Sequence, residues 1–238
     1  MENQFSRLIP IVGQKGLNML KTKTVMVVGI GGVGSACAEA LARGGIGKLI
    51  LIDDDIIKIS NINRQLFALH STIGIKKVYA AEKRLKDIRP DICIDILPIF
   101  VSSETIEIIR QKKCDLIIDA IDDTNAKVLL AKLAQEENIP MYACMGTGNK
   151  TNPSMFCFSD IYSTNTCPLC RTMRQKYRKA GIEHLTVLYS PEERKGTLAI
   201  DEDNKKVPGS TSYIPPIAGL MLAGRALLQL SNFDSAAS

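Results

Sequence analysis

The stretch TVMVVGIGGVGSACAEALARGGIGKLILIDDD, Thr24 to Asp55, decides the fold. Thr24 to Val28 is a short β-branched run, followed at once by Gly29-Ile30-Gly31-Gly32-Val33-Gly34. Ala36, Ala38, Ala40 and Leu41 supply helix formers until Gly44 and Gly45 end the segment. Lys48 to Ile52 is a second apolar run, ending on Asp53, Asp54 and Asp55. The order is strand, glycine turn, helix, strand, a βαβ unit. Glycines at 29, 31 and 34 permit a tight turn and close backbone approach, with the next helix offering N–H donors and a positive dipole end to a phosphate. Asp53 stands about 20 residues on, where ribose hydroxyls are held in such units. A nucleotide site is therefore expected; the competing account is a glycine turn that serves helix packing alone.

Outward from this unit, Val78, Ala81, Leu85 and Ile88 predict a helix after Gly74 that stops before Pro90. Strands are expected over Ile92 to Leu97, Asp115 to Ala120 and Pro140 to Cys144, with a helix between Thr124 and Asn138. Alternating strands and helices predict an α/β fold of Rossmann-like type, a mostly parallel sheet with helices on both faces and a ligand crevice beyond the strands' carboxyl ends. After Gly146 the pattern changes to a turn at Asn149 to Pro153, strands at Ser154 to Phe158 and Thr186 to Tyr189, and a helix at Pro168 to Ala180. A charged, mobile loop is expected over Glu202 to Gly209, and a final helix over Pro216 to Leu230. Residues 1–146 thus form a nucleotide-binding core, 147–230 a C-terminal extension of the same domain that faces the substrate, and 231–238 a disordered polar tail.

The 238 residues correspond to roughly 1.6 domains at about 150 residues each. With 45% hydrophobic and 23% charged residues, disordered and collagen-like classes are excluded. The net charge of +5 permits a polyanionic partner without requiring one. Seven cysteines, mostly single within apolar runs, point to a reducing, cytoplasmic compartment. Ser6, Arg7, Gln14 and Lys15 interrupt any signal-peptide core, and Pro215, Pro216 and Arg225 make the late apolar stretch a poor bilayer span, so no membrane association is expected.

The next residues, Ser60-Asn61-Ile62-Asn63-Arg64-Gln65 and Gly74-Ile75-Lys76-Lys77, separate the nucleotide classes. A nicotinamide dehydrogenase, one competing reading, has no need of two cations here, whereas Arg64 and Lys77 suit the charge that accumulates on phosphates in nucleotidyl transfer.

GIGGVGS at 29–35, DDD at 53–55, NINRQ at 61–65, GIKK at 74–77 and DAIDD at 119–123 resemble the ubiquitin-activating-enzyme-like, ThiF-type adenylating superfamily. The resemblance implies an ATP- and magnesium-dependent enzyme in which Gly29, Gly31, Gly32 and Gly34 hold phosphate and Asp53, with Asp55, holds ribose. It implies further that Arg64 and Lys77 meet the triphosphate, Asn61 and Gln65 support it, and Asp122 lies beside the α-phosphate and magnesium. Arg7 matches an arginine that reaches the γ-phosphate across a homodimer interface. Carrier-activating members often hold zinc on two CxxC pairs. Here only Cys167-Pro168-Leu169-Cys170 has that spacing, so no zinc is expected.

The second half, through MGTGNKTNPSMFCFSDIYST at 145–164, CPLCRTMRQKYRKAGIEHLTVLYSPEE at 167–193 and PGSTSYIPPIAGLMLAG at 208–224, resembles the branch of tRNA threonylcarbamoyladenosine dehydratases. That resemblance implies adenylation of the threonyl carboxylate of the modified adenosine, then ring closure with loss of AMP, a net dehydration. Once AMP is the leaving group no protein nucleophile is required, and the tethered carbamoyl group gives ring closure an intramolecular advantage of up to roughly 7 to 11 kcal/mol. Cys144, Cys157, Cys167 and Cys170 are read as buried or incidental thiols; sulfur chemistry with a cysteine-desulfurase-type relay partner is the open alternative. Arg171, Arg174, Lys176, Arg178 and Lys179 form a tRNA-facing surface on the helix from Pro168. Residues 161–182 hold these five basic residues and no acidic one, so the remaining chain has 25 of each sign. Adenylation of a sulfur-carrier C-terminus, and a nucleotide-binding adaptor without catalysis, remain as further readings. The late apolar helix, Ile214 to Leu230, is the candidate dimer interface.

Overall fold

The computed structural model describes residues 2–200, 204 and 206–233. Its elements are α1 (Ile9–Thr22), β1 (Thr24–Val28), α2 (Gly32–Arg43), β2 (Lys48–Ile52), α3 (Lys77–Ile88), β3 (Cys93–Leu97), α4 (Ile106–Arg110) and β4 (Leu116–Asp119). They continue as α5 (Thr124–Glu136), β5 (Met141–Cys144), β6 (Cys157–Asp160), α6 (Pro168–Lys179), β7 (Thr186–Tyr189), β8 (Leu198–Ile200), β9 (Lys206–Pro208) and α7 (Ile214–Leu230). Seven strands form one sheet in the order β3-β2-β1-β4-β5-β7-β6, all parallel except β6, which pairs antiparallel with β7 at the edge. Strand order reverses between β2 and β4 around β1, so the crevice lies where the carboxyl ends of β1 and β4 diverge.

Strand alternation feeds two cores. Val25, Val27, Leu49, Leu51 and Ile118 face α2, α3 and α7, while Met26, Val28, Ile50 and Ile117 face α5 and α6. The segment after Gly146 extends the same sheet, because β7 pairs with β5 from Tyr142–Thr186 to Cys144–Leu188.

Three differences from the sequence reading have physical causes. Helix α1 was not foreseen: Pro10, Gly13 and Gly16 obscure its pattern, and Gly13 kinks it at φ +71°. Its hold on the molecule is tertiary, through buried Gly16, Leu17 and Leu20. The loop expected over Glu202 to Gly209 contains β9, which pairs with β8 as a hairpin; residues 201–203 and 205 lie outside the described residues. The tail expected from Ser231 begins with buried Ser231 and the turn bond from the Phe233 amide to the Leu228 carbonyl, and residues 234–238 lie outside the described residues. Helix α7, the candidate dimer interface, buries Ile214, Ala218, Leu222, Ala223 and Ala226 chiefly against α2 and leaves Leu220 exposed on its other side. A methyl group on Gly219 would stand 2.1 Å from the Val33 carbonyl oxygen, so glycine there sets the close helix approach. Among the described residues no helix is long and apolar enough to cross a membrane.

Candidate functional site

A cavity of about 960 Å³ opens at the switch point, bordered by the β1–α2 turn, the β2 end, the Ser60–Gln65 segment, Lys77 and the β4–α5 turn. Two glycines make the turn possible. Gly29 has φ +86°, and a methyl group on it would lie 2.7 Å from the Ala120 carbonyl oxygen. One on Gly34 would lie 1.7 Å from the Gly29 carbonyl oxygen. Gly31 and Gly32 line the cavity, and Gly31 starts α2 with no side chain capping the helix amides, which leaves the dipole end for an anion.

Asp53 braces the turn. One carboxylate oxygen accepts from the Ile30 amide at 2.6 Å and the other from the Asp55 amide at 2.9 Å. Lys77 Nζ lies 3.7 Å from Asp53 Oδ1 and 2.6 Å from Asp55 Oδ2, with the Lys77 and Asp53 side chains only 8% exposed. Burial pushes the Asp53 carboxyl up, and Lys77 and the two amides pull it back. Asp53, Asp55 and Lys77 all line the cavity, so this charge group is bound to the same space as the glycine turn.

Arg64 donates to the Ser60 carbonyl at 3.0 Å and to Asn63 Oδ1 at 2.8 Å, which directs the guanidinium along the cavity wall. Burial lowers its pKa, and the Asp122 carboxylate raises it in opposition. Asn61 Oδ1 accepts from the Lys58 amide at 3.0 Å, closing the short turn that carries Arg64. Gln65 is buried on the wall beside Gly31. Asp122 lies between two fixed points. Asp123 caps α5 by accepting from the Asn125 and Ala126 amides, and Asp119 forms a fully buried pair with Lys127 at 3.0 Å. The Asp122 carboxylate itself accepts no hydrogen bond among the described residues, so its oxygens are open to the cavity.

The structure therefore brings together Gly29, Gly31, Gly32, Asp53, Asp55, Asn61, Arg64, Gln65, Lys77 and Asp122 around one space. Gly34 stands behind them as a packing residue. Arg7 is exposed ahead of α1 and does not line this chain's cavity. The basic residues of α6 divide. Arg174 is tied to Thr164 and Lys176 to Thr124 and Asn125, Arg178 lies over the Tyr162 ring, and Arg171 and Lys179 are exposed. Cys167 and Cys170 are buried at the start of α6, where the Cys170 thiol, donating to Cys167, pulls the Cys167 pKa down. Among the described residues the one group of three or more clustered metal-capable side chains is Asp53, Asp54 and Asp55.

Sequence reasoning missed several positioning residues. Lys127 bonds both Asp119 and the Cys144 carbonyl, joining the ends of β4 and β5; its signal is a lysine within the apolar run of α5. Asn149, in the left-handed region at φ +57°, clamps the β8–β9 hairpin through Thr197 O and the Gly209 amide, and Ala199, Ile200, Val207 and Pro208 of that hairpin line the cavity. No local pattern announces this clamp, because its partners lie 48 and 60 residues away.

The model of the ThiF family matches residues 5–237. The chain is 39% identical to the tRNA threonylcarbamoyladenosine dehydratase of Bacillus subtilis, over 97% of this chain and 95% of that protein. The solved structure of Escherichia coli tRNA N6-threonylcarbamoyladenosine dehydratase in complex with ATP superposes with a TM-score of 0.88 at 26% identity, covering 99% of this chain and 96% of the other. Similarity to a probable molybdopterin-synthase adenylyltransferase of Porphyra purpurea is 36% identity over 55% of this chain and 34% of that protein.

Proposed function

This chain belongs to the ThiF family, and from that premise we propose that it catalyses the ATP-dependent dehydration of threonylcarbamoyladenosine in tRNA. The observation that carries this reading is that likeness to the Bacillus subtilis dehydratase runs over nearly the whole chain, including the segment after Gly146. Likeness to the Porphyra adenylyltransferase covers about half, which disfavours activation of a sulfur-carrier protein.

The cavity's size is at the upper end of the range of about 300 to 1,000 Å³ for ligand sites and accommodates a nucleotide. Phosphates lie at the uncapped start of α2, Asp53 and Asp55 take the ribose, and Asn61 and Gln65 support the wall. Arg64 and Lys77 spread the negative charge that builds up on the triphosphate as the substrate carboxylate attacks the α-phosphorus. The open Asp122 carboxylate fits a magnesium ion, which when bound supplies further neutralisation of phosphate charge. The resulting acyl-phosphate bond breaks when the tethered carbamoyl group closes the ring, and AMP leaves.

Arg171 and Lys179 on α6 meet RNA phosphates, with Arg174, Lys176 and Arg178 continuing the basic surface. A homodimer completes the site by bringing Arg7 of one copy to the γ-phosphate of the other, and the enzyme works in the cytoplasm with its tRNA substrate. Purified protein, ATP and magnesium are incubated with tRNA that carries threonylcarbamoyladenosine, and the nucleosides are analysed by mass. Loss of one water from that nucleoside, with AMP and pyrophosphate formed only with the modified RNA, is the expected result. Equal ATP cleavage with unmodified tRNA would overturn it.

A further inference from the structure

A second, smaller cavity of about 260 Å³ adjoins the first and shares Val33, Ala120, Asp122, Thr147, Gly148 and Pro208 with it. Its own walls are Cys144, Met145, Gly146, Leu169 and Arg194. The volume lies below the range of about 300 to 1,000 Å³ for drug-sized ligands, so it takes a fragment smaller than a nucleotide. Its floor is rigid: Cys144 and Met145 are buried, and Lys127 holds the Cys144 carbonyl at 2.8 Å.

Arg194 is the basic side chain on this wall, and it makes no hydrogen bond or ion pair among the described residues. Its backbone is nonetheless fixed on both sides. Glu192 is buried and accepts from the Thr151 amide and hydroxyl and the Asn152 amide, while buried Lys150 Nζ donates to the Ser190 and Glu192 carbonyls. On the other side the Lys195 amide donates to the Asn149 carbonyl at 2.8 Å. An exposed guanidinium with no hydrogen bond or ion pair among the described residues, carried on the cavity wall by an anchored segment, has the chemistry to bind a carboxylate.

We propose that the smaller cavity is the acyl pocket of the reaction: it receives the small carboxylate-bearing arm of the modified nucleoside, and Arg194 binds and orients that carboxylate. This rests on the function proposed above and adds the place of the acyl substrate. Because Asp122 lines both cavities, a carboxylate bound by Arg194 in the smaller one lies next to the nucleotide space. One carboxylate oxygen then bonds to the α-phosphorus as the bond to the bridging α–β oxygen breaks. Pyrophosphate takes that electron pair, and no proton moves in the step.

The test is steady-state kinetics of the full chain with Arg194→Gln and Arg194→Lys, together with direct binding of ATP and of unmodified tRNA. Arg194→Gln should raise KM for tRNA carrying threonylcarbamoyladenosine roughly ten- to a hundredfold, the scale of a lost charged hydrogen bond. ATP affinity, unmodified-tRNA affinity and Tm should stay at their wild-type values, and Arg194→Lys should recover part of the KM. An unchanged KM in Arg194→Gln, or an equal loss of affinity for modified and unmodified tRNA, overturns the pocket assignment. Failure of the wild-type chain to turn over the modified tRNA instead overturns the underlying function, so the two failures are distinguishable.

Discussion

Lys127 Nζ stands 3.0 Å from Asp119 Oδ2 with both side chains fully buried, and the same ammonium bonds the Cys144 carbonyl at 2.8 Å. One cation thus ties together the carboxyl ends of β4 and β5, three residues before Asp122 and beside the smaller cavity. Burial pushes the Asp119 carboxyl up and Lys127 pulls it back, so each charge depends on the other for its tolerance inside the core. Lys127→Met leaves Asp119 uncompensated and should cost about 3 to 5 kcal/mol, seen as a fall in Tm of roughly 6 to 20 °C. Adding Asp119→Asn should return part of that loss. If the double variant is no more stable than Lys127→Met alone, the two residues are not coupled in this way.

Arg64 tests the nucleotidyl-transfer reading against mere binding. Its guanidinium lies on the cavity wall near Asp122, and its bonds to Ser60 and Asn63 are local. Arg64→Ala should lower turnover about 100- to 1,000-fold, the scale of a lost preorganised donor, with little change in Tm. Turnover within a few-fold of wild type would show that phosphate charge is neutralised elsewhere.

The division among the basic residues of α6 gives a salt-dependence experiment. Arg171 and Lys179 are exposed, whereas Arg174 and Lys176 already serve Thr164, Thr124 and Asn125. Replacing Arg171 and Lys179 together with alanine should weaken tRNA binding and lower the slope of log affinity against log salt by about 2, leaving KM for ATP unchanged. An unaltered slope would remove α6 from the RNA surface.

Glu192 should register in acid stability. Its burial raises the pKa, but the amides of Asn152 and Thr151, the Thr151 hydroxyl and Lys195 outweigh this and hold it at about 2. An unfolded glutamate titrates near about 4.3. The folded value is the lower one, so its contribution is present above about 4.3 and is lost as pH falls towards 2. Wild-type Tm should therefore drop more steeply between pH 5 and pH 2.5 than that of Glu192→Gln. Parallel Tm curves would assign the acid response to other groups.

The βαβ core was legible because its information is local. Residues 24–55 carry their strand, turn and helix preferences in consecutive positions, and β1 and β2 run over the residues expected. Most strand and helix ends elsewhere fall within a few residues of their expected places, and Gly29, Gly31, Gly32, Asp53, Arg64, Lys77 and Asp122 line one cavity while Gly34 packs behind it. Helix α1 was not legible, because Pro10, Gly13 and Gly16 weaken its local signal and its stability comes from packing.

By itself, then, the sequence determined the alternating strand and helix plan with its glycine turn, since hydrophobic period and turn chemistry act over a few positions, and its resemblance to the ThiF-type superfamily implied the residues that meet at the crevice. Tertiary structure alone decided what shapes that place. The Asn149 clamp on the hairpin, the Lys127 bond across two strand ends, and the anchored Arg194 facing a second cavity join residues far apart in the chain. A side chain's worth there is set by which distant carbonyl, amide or carboxylate the folded backbone puts within reach, and neighbouring residues do not encode that.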